Sequence, residues 1–206
     1  MKKFAYIPLS LVLLLASCGG NVTPTVEATP SSGVVQIGSG YQEGDVIWPS
    51  APNSSELLKP QINEGAVCYT YSQWNTNYGC TPNQRDLVDK AGYIYREVKP
   101  SLTTEQRRIT IGTTYVRGTI VVTVNGGADS YTKSLVQKAA AAIRWGYLSA
   151  AGTDHAETAL AKAFGPAADG SFRNIGISNP AGPCDACKSS LAPMPVNVTY
   201  FLNWYW

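Results

Sequence analysis

The sequence predicts an α/β domain in which helices pack on one central sheet. Two patterns predict it. Runs rich in β-branched residues recur along the C-terminal half of the chain, and segments with apolar residues at helical spacing alternate with them. Composition supports the same class. Of 206 residues, 44% are apolar and 15% are charged, which excludes a charge-driven disordered chain and a coiled coil. The length suits one ordinary domain with a tail. A formal net charge of +2 carries no polybasic surplus of the kind that dominates nucleic-acid or anionic-membrane binding.

The chain opens with Lys2 and Lys3, followed by a nearly all-apolar run from Phe4 to Ala16. That run is shorter than the roughly 20 residues a membrane-spanning helix needs, and it fits a secretory signal. It ends in Leu15-Ala16-Ser17-Cys18-Gly19-Gly20, which resembles a bacterial lipobox. The resemblance implies cleavage after residue 17, lipid on Cys18 and a membrane-anchored lipoprotein of the cell envelope. An ordinary secretory signal cut nearby is the alternative. Both place the mature chain outside the cytoplasm. Without Lys2 and Lys3 it carries 14 basic and 14 acidic side chains and is close to neutral. Residues 18–65 read as a linker, because Thr, Pro, Ser, Gly and Asn dominate and little can be buried. The stretch from Tyr41 to Gly65 is expected to contribute no core, and the domain is expected over 66–206.

Within the domain, Arg108–Tyr115 and Thr119–Val124 read as strands, followed by a turn at Asn125-Gly126-Gly127. Ser130–Ser149 reads as one amphipathic helix, on Leu135, Ala139, Ala142 and Ile143. A second helix follows His155 and breaks at Gly165-Pro166, with Thr153 or Asp154 placed to cap it. Phe172–Ser178 is a strand, the Asn179-Pro180-Ala181-Gly182 loop leads to a short helix, and Val196–Trp204 is a last strand. The order is strand, strand, helix, helix, strand, helix, strand.

Cys68 and Cys80 lie twelve apart in a Tyr/Asn/Gly-rich stretch. Outside the cytoplasm a disulfide is the simplest reading; two free thiols or pairing with another chain are the alternatives. Cys184 and Cys187 form a separate Cys-Asp-Ala-Cys unit. The only histidine, His155, begins His155-Ala156-Glu157, and Pro183-Cys184-Asp185-Ala186-Cys187 follows, with Cys184 29 residues after His155.

Together these spell His-x-Glu and Pro-Cys-x-x-Cys, the pattern of zinc-dependent nucleobase and nucleoside deaminases. One imidazole and two thiolates give zinc three ligands and leave a fourth tetrahedral position for water, the mark of a catalytic site. Zinc makes that water acidic near neutral pH. Glu157 is then the proton shuttle. His155 and Glu157 can serve one centre only from the first helical turn, whereas Cys184 and Cys187 share a face and gain from a helix N-terminus as thiolates. A thioredoxin-like redox pair would need much of its fold downstream of the cysteines, and only 19 residues follow Cys187. A structural zinc site would need a fourth side-chain ligand.

The element order, with Val122-Thr123-Val124-Asn125-Gly126, His155-Ala156-Glu157 and Ser178 to Cys187, resembles the cytidine deaminase-like fold. More narrowly, it is similar to the deaminase domains of bacterial polymorphic toxins, over roughly residues 108–206. The resemblance implies a three-layer α/β sandwich, a bound zinc ion, deamination of a base (cytosine first) in a nucleoside or single-stranded nucleic acid, a toxin role and an immunity protein as partner. A short lipid-anchored chain departs from the long secreted proteins that carry such domains. Asn125 and Tyr131 are expected at the substrate, and Tyr115, Phe164 and Trp204-Tyr205-Trp206 are further stacking candidates. The segment Arg85–Arg117 is mildly basic but of mixed sign. A surface lipoprotein that keeps the fold as a binding module, without turnover, is the competing function.

Overall fold

The computed structural model describes residues 37–38, 40–50, 67–73 and 75–202. The signal segment, Cys18, most of the linker and Trp204-Tyr205-Trp206 lie outside the described residues.

Among the described residues, eight strands form one mixed sheet: β1 (Val46–Ile47), β2 (Val67–Ser72), β3 (Asn75–Tyr78), β4 (Ile111–Val116), β5 (Thr119–Val124), β6 (Gly146–Leu148), β7 (Arg173–Ile177) and β8 (Val196–Leu202). Their spatial order is β1-β6-β5-β4-β7-β8-β2-β3. Four α-helices cover it: α1 (Pro82–Val98), α2 (Ser130–Ala142), α3 (Ala156–Phe164) and α4 (Asp185–Leu191). The expected α/β class is present, with helices on both faces. Helices α1 and α2 pack on one, where Leu87, Ile94, Val136, Ile111, Val122 and Tyr147 share a core. Helix α3, with α4 beside it, packs on the other, where Leu160, Leu191, Val121, Ile175 and Val198 form a second core.

Strand β5 shows why the sequence folds this way. Its Ile120, Val122 and Val124 face the α1/α2 core while Val121 faces the α3/α4 core. A strand buried on both faces needs an unbroken apolar run rather than alternation. The β4–β5 hairpin turns on Arg117 and Gly118, both at positive φ, the turn geometry that matches strand twist.

Strands β5 and β6 pair in parallel, as do β7 and β8; β4 runs antiparallel to both β5 and β7. The carboxyl ends of β5, β6 and β7 therefore leave the same edge of the sheet. In such sheets that edge is where ligand sites assemble.

Several expectations change. The helix read as Ser130–Ser149 ends at Ala142, and its tail becomes β6, paired with β5. Trp145-Gly146-Tyr147-Leu148 continues the apolar content of α2, but pairing with a neighbouring strand outweighs that local pattern. The centre of the buried face of α2 is carried by Thr132, Val136 and Ala140; the expected Leu135, Ala139 and Ile143 pack half-buried at its margin, and Ala142 is exposed. The first expected strand begins at Ile111; Arg108 closes a short 3-10 turn.

The packed unit also begins well before residue 66. Tyr41 and Val46 are buried, β1 pairs with β6, and Gly38 N–H donates to Ala163 O. An edge strand of two residues is enough to bring this segment into the core despite its Pro- and Gly-rich surroundings. Strands β2 and β3 and helix α1 complete the sheet and its cover. Helix α1 starts with a reciprocal cap, in which Gln84 N–H donates to Thr81 Oγ1 and Thr81 N–H donates to Gln84 Oε1. Cys68 and Cys80 are joined by a disulfide, with Cα atoms 5.8 Å apart. Closing a loop of this length contributes about 3 kcal/mol.

Candidate metal centre

Two loops from the carboxyl edge deliver the donors. The loop after β6 ends at His155, the residue preceding α3, with extended backbone at φ −72 and ψ 157. The loop after β7 ends at Cys184, which stands in the same way before α4. Residues flanking a helix start point their side chains off its end, so both aim at one place.

His155 Nδ1 lies 2.8 Å from Cys187 Sγ and 3.5 Å from Cys184 Sγ, and the two sulfurs are 2.8 Å apart. All three ligand atoms fall within 4.8 Å of one another, and among the described residues this is the group of His, Cys, Asp or Glu able to hold a metal ion. His155 and Cys184 are exposed and Cys187 is buried, so the group opens on the surface. The Cys187 N–H also donates to Cys184 Sγ, which ties the two cysteines into one turn.

Glu157 sits in the first turn of α3, is 3% exposed, and its Oε2 has no hydrogen-bond partner. A buried carboxylate left partly unmet costs about 1–3 kcal/mol or more. It meets the Cys187 thiol, which is pushed strongly upward by burial first, then by contact with Cys184 and by the Glu157 charge. The Cys187 thiol, out of water beside Cys184 and the Glu157 carboxyl, is thus disfavoured as an anion. A divalent cation among them reverses that, because a coordinating thiol gives up its proton. The donor set and the orphaned carboxylate oxygen both fit a metal ion.

The supports of the two loops are specific. Helix α3 comes close to β4 because residue 112 is glycine: a Cβ there would lie 3.1 Å from Ala156 Cβ and 3.0 Å from Leu160 Cδ1. On the second loop, Asn179 Oδ1 accepts from Ala181 N–H, its amide donates to Gly182 O, and Gly182 N–H donates to Asn179 O. Ser178 Oγ accepts from Ile111 N–H and anchors the loop's start to β4.

The cap expected from Thr153 or Asp154 is not made. Asp154 instead accepts from Tyr41 Oη at 3.0 Å and from Lys162 Nζ at 2.7 Å, and its carbonyl accepts from Gly126 N–H. Tyr41 Oη also accepts from Ala151 N–H. Burial, opposed by that bond and reinforced by Asp154, raises the Tyr41 phenol to about 12. Tyr41 therefore clamps the entry to His155, a role no sequence signal marks, because its partner is 113 residues away.

Asn125 follows β5 at the same edge, and its Oδ1 accepts from Thr110 N–H just before β4, so half of its amide ties the two strand ends together. Tyr131 is 53% exposed in the first turn of α2. None of the described contacts joins either residue to the donors. Two stacking candidates are elsewhere. Tyr115 donates to Asp86 of α1, on the opposite side of the sheet. Phe164 ends α3, about 13 Å along the helix from its start, against Trp48. The mixed charges of Arg85–Arg96 belong to α1, also across the sheet.

No family model, curated protein or solved structure matches the chain.

Proposed function

We propose that the chain is a zinc-dependent hydrolytic deaminase acting on a nucleobase, with cytosine the first base to test, in a nucleoside or single-stranded nucleic acid. The observation that carries the reading is the meeting of His155, Cys184 and Cys187 beside a buried, partly unpartnered Glu157. Three donors from N and S chemistry, with a carboxylate next to them but outside the set, fit an open catalytic zinc site better than a closed structural one.

His155, Cys184 and Cys187 would hold the ion. Bound zinc would supply Lewis acidity, bringing a water within reach of deprotonation at neutral pH. Glu157 takes one proton from that water and delivers it to the ring nitrogen, then carries the remaining proton of the added hydroxyl to the departing amine. Water adds its oxygen to the base carbon, the exocyclic amine leaves as ammonia, and a carbonyl remains. Burial of Glu157 keeps bulk water from competing for that proton. The envelope anchor on Cys18, the toxin role and an immunity partner extend the proposal through the sequence resemblance alone.

The test is metal analysis of the purified chain with deamination assays on cytidine and on single-stranded DNA. Glu157→Ala is expected to keep zinc and lose deamination by about 10²–10⁴-fold. Zinc without deamination of any base by the unaltered chain would instead favour the silent binding module. Unchanged activity in Glu157→Ala would remove the assigned role.

A further inference from the structure

We infer that Tyr200 is a positioning residue for the metal centre: its ring seats Gly182 and thereby sets where Cys184 and Cys187 meet His155. The inference rests on the metal-binding half of the proposed function and on no choice of substrate.

The loop between β7 and α4 closes its own turn through Asn179, and Ser178 ties its start to β4. Those bonds shape the loop but leave its far end, from Gly182 to Cys184, to be placed against the sheet by something else. Pro183 has no N–H to donate. Helix α4 is seven residues long, and its buried residues are Cys187 and Leu191, so its own packing gives the cysteine pair little hold.

Tyr200 supplies the missing contact. In the parallel pair of β7 and β8, Gly176 lies opposite Thr199, so Tyr200 stands level with the end of β7, where the loop departs. Gly182 rests on its ring so closely that a Cβ would come within 2.5 Å of Cζ, 2.7 Å of Cε1 and 2.9 Å of Cε2. Position 182 therefore needs glycine twice, for this approach and for its φ of +70. Cys184 is two residues further on and Cys187 one helical turn beyond it, so a shift of the loop against the ring carries to both sulfurs.

The ring is itself held. It packs against the α3/α4 core, and Tyr69 of β2 stacks on it with ring centres 5.6 Å apart and planes at 17°. Tyr78 of β3 meets Tyr69 edge to face at 4.9 Å, and the Cys68–Cys80 disulfide closes the open end of that hairpin. A fixed ring under a loop of metal donors acts as an outer-shell support, and such supports commonly carry about 10–100-fold in metal affinity.

The full chain is titrated with zinc against a chelator, and with cobalt(II), whose absorption bands report the geometry of a thiolate site. Tyr200→Ala should weaken zinc about tenfold or more and shift the cobalt spectrum. Tyr200→Phe keeps the flat ring and should restore both. Should Tyr200→Ala not fold, Tyr200→Leu, with apolar bulk but no flat face, carries the same expectation. Gly182→Ala should weaken zinc comparably in the unaltered chain and less in the Tyr200→Ala background, where the added Cβ has room. Native zinc affinity and cobalt spectrum in Tyr200→Ala overturn the inference, and so do additive effects of the two substitutions, which would make Tyr200 a residue of the fold alone. An unaltered chain that binds neither metal ends the inference and the metal centre together. Otherwise the two readings fail separately. Tyr200-dependent zinc binding without deamination removes the enzyme and keeps the role; deamination by a chain whose metal is indifferent to Tyr200 removes the role and keeps the enzyme.

Discussion

At the C-terminal end of α3, Arg173 is 8% exposed, and its guanidinium donates to four carbonyls, those of Tyr115, Phe164, Gly165 and Pro166, at 2.6 to 3.3 Å. At the N-terminal end, Glu157 is 3% exposed and has one oxygen with no partner. Both charges are taken out of water by the same helix. The cation is met by fixed dipoles, three where α3 and the chain after it present carbonyls and one from Tyr115 of β4. The carboxylate is met by a thiol that also disfavours charge. A buried charge fully answered by the backbone holds the fold together. One left partly unanswered beside metal donors is a place for a ligand, at a cost to stability.

Glu157→Gln gives the sharpest break between the two ends. It keeps shape and removes the charge, so deamination should fall by about 10²–10⁴-fold. Stability of the metal-free chain should hold or rise, because a partly unpaired buried carboxylate is lost. Thermal melting and turnover on the same samples check both. A fall in melting temperature would place Glu157 with Arg173 as a structural charge.

Arg173→Met should do the opposite. It fills similar volume but leaves four carbonyls without their shared donor, a loss of about 3 kcal/mol. Denaturant unfolding reads that loss directly. Metal content and turnover per folded molecule should stay unchanged, because the guanidinium lies a full helix length from His155.

The clamp at the entry of α3 is worth less. Tyr41→Phe removes a donor to Asp154 and an acceptor for Ala151 N–H, together about 1–2 kcal/mol. Zinc affinity should weaken although every donor remains, which competition with a chelator measures. Stability equal to that of the unaltered chain would show that Lys162 alone fixes Asp154.

The donor triad was legible in the sequence because its chemistry is local. His155 and Glu157 share one helical turn, as do Cys184 and Cys187, and each pair keeps its spacing whatever the rest of the chain does. The supports were not. Tyr41 is one phenol in a Pro- and Gly-rich stretch, and Tyr200 looks like any strand aromatic until Gly182 is seen against it. Strand β6 exists only because β5 lies beside it. Helix α1 does carry a local signal, Thr81-Pro82-Asn83-Gln84 followed by Leu87, Ala91, Ile94 and Val98, but the mixed charges of Arg85–Arg96 mask it.

Asp89, on α1, extends the comparison to a third charge removed from water and should give the smallest effect. Burial, and then the neighbouring charge of Asp86, raise its carboxyl from 3.8 to about 6, against the pull of Arg96, Lys90 and Arg85. The folded state therefore holds this proton more tightly than the unfolded chain. Its contribution to stability is complete below about pH 4 and is lost as pH rises from about 4 to 6, after which it changes no further. Asp89→Asn cannot ionise, so it should match the unaltered chain near pH 4 and be more stable by about 1 kcal/mol at pH 7, with screening by the nearby cations keeping the gain small. Urea unfolding at the two pH values checks the sign. If Asp89→Asn is instead less stable at pH 7, the cations around α1 answer this carboxylate as fully as the carbonyls answer Arg173, and Glu157 stands alone as the buried charge the fold leaves unmet.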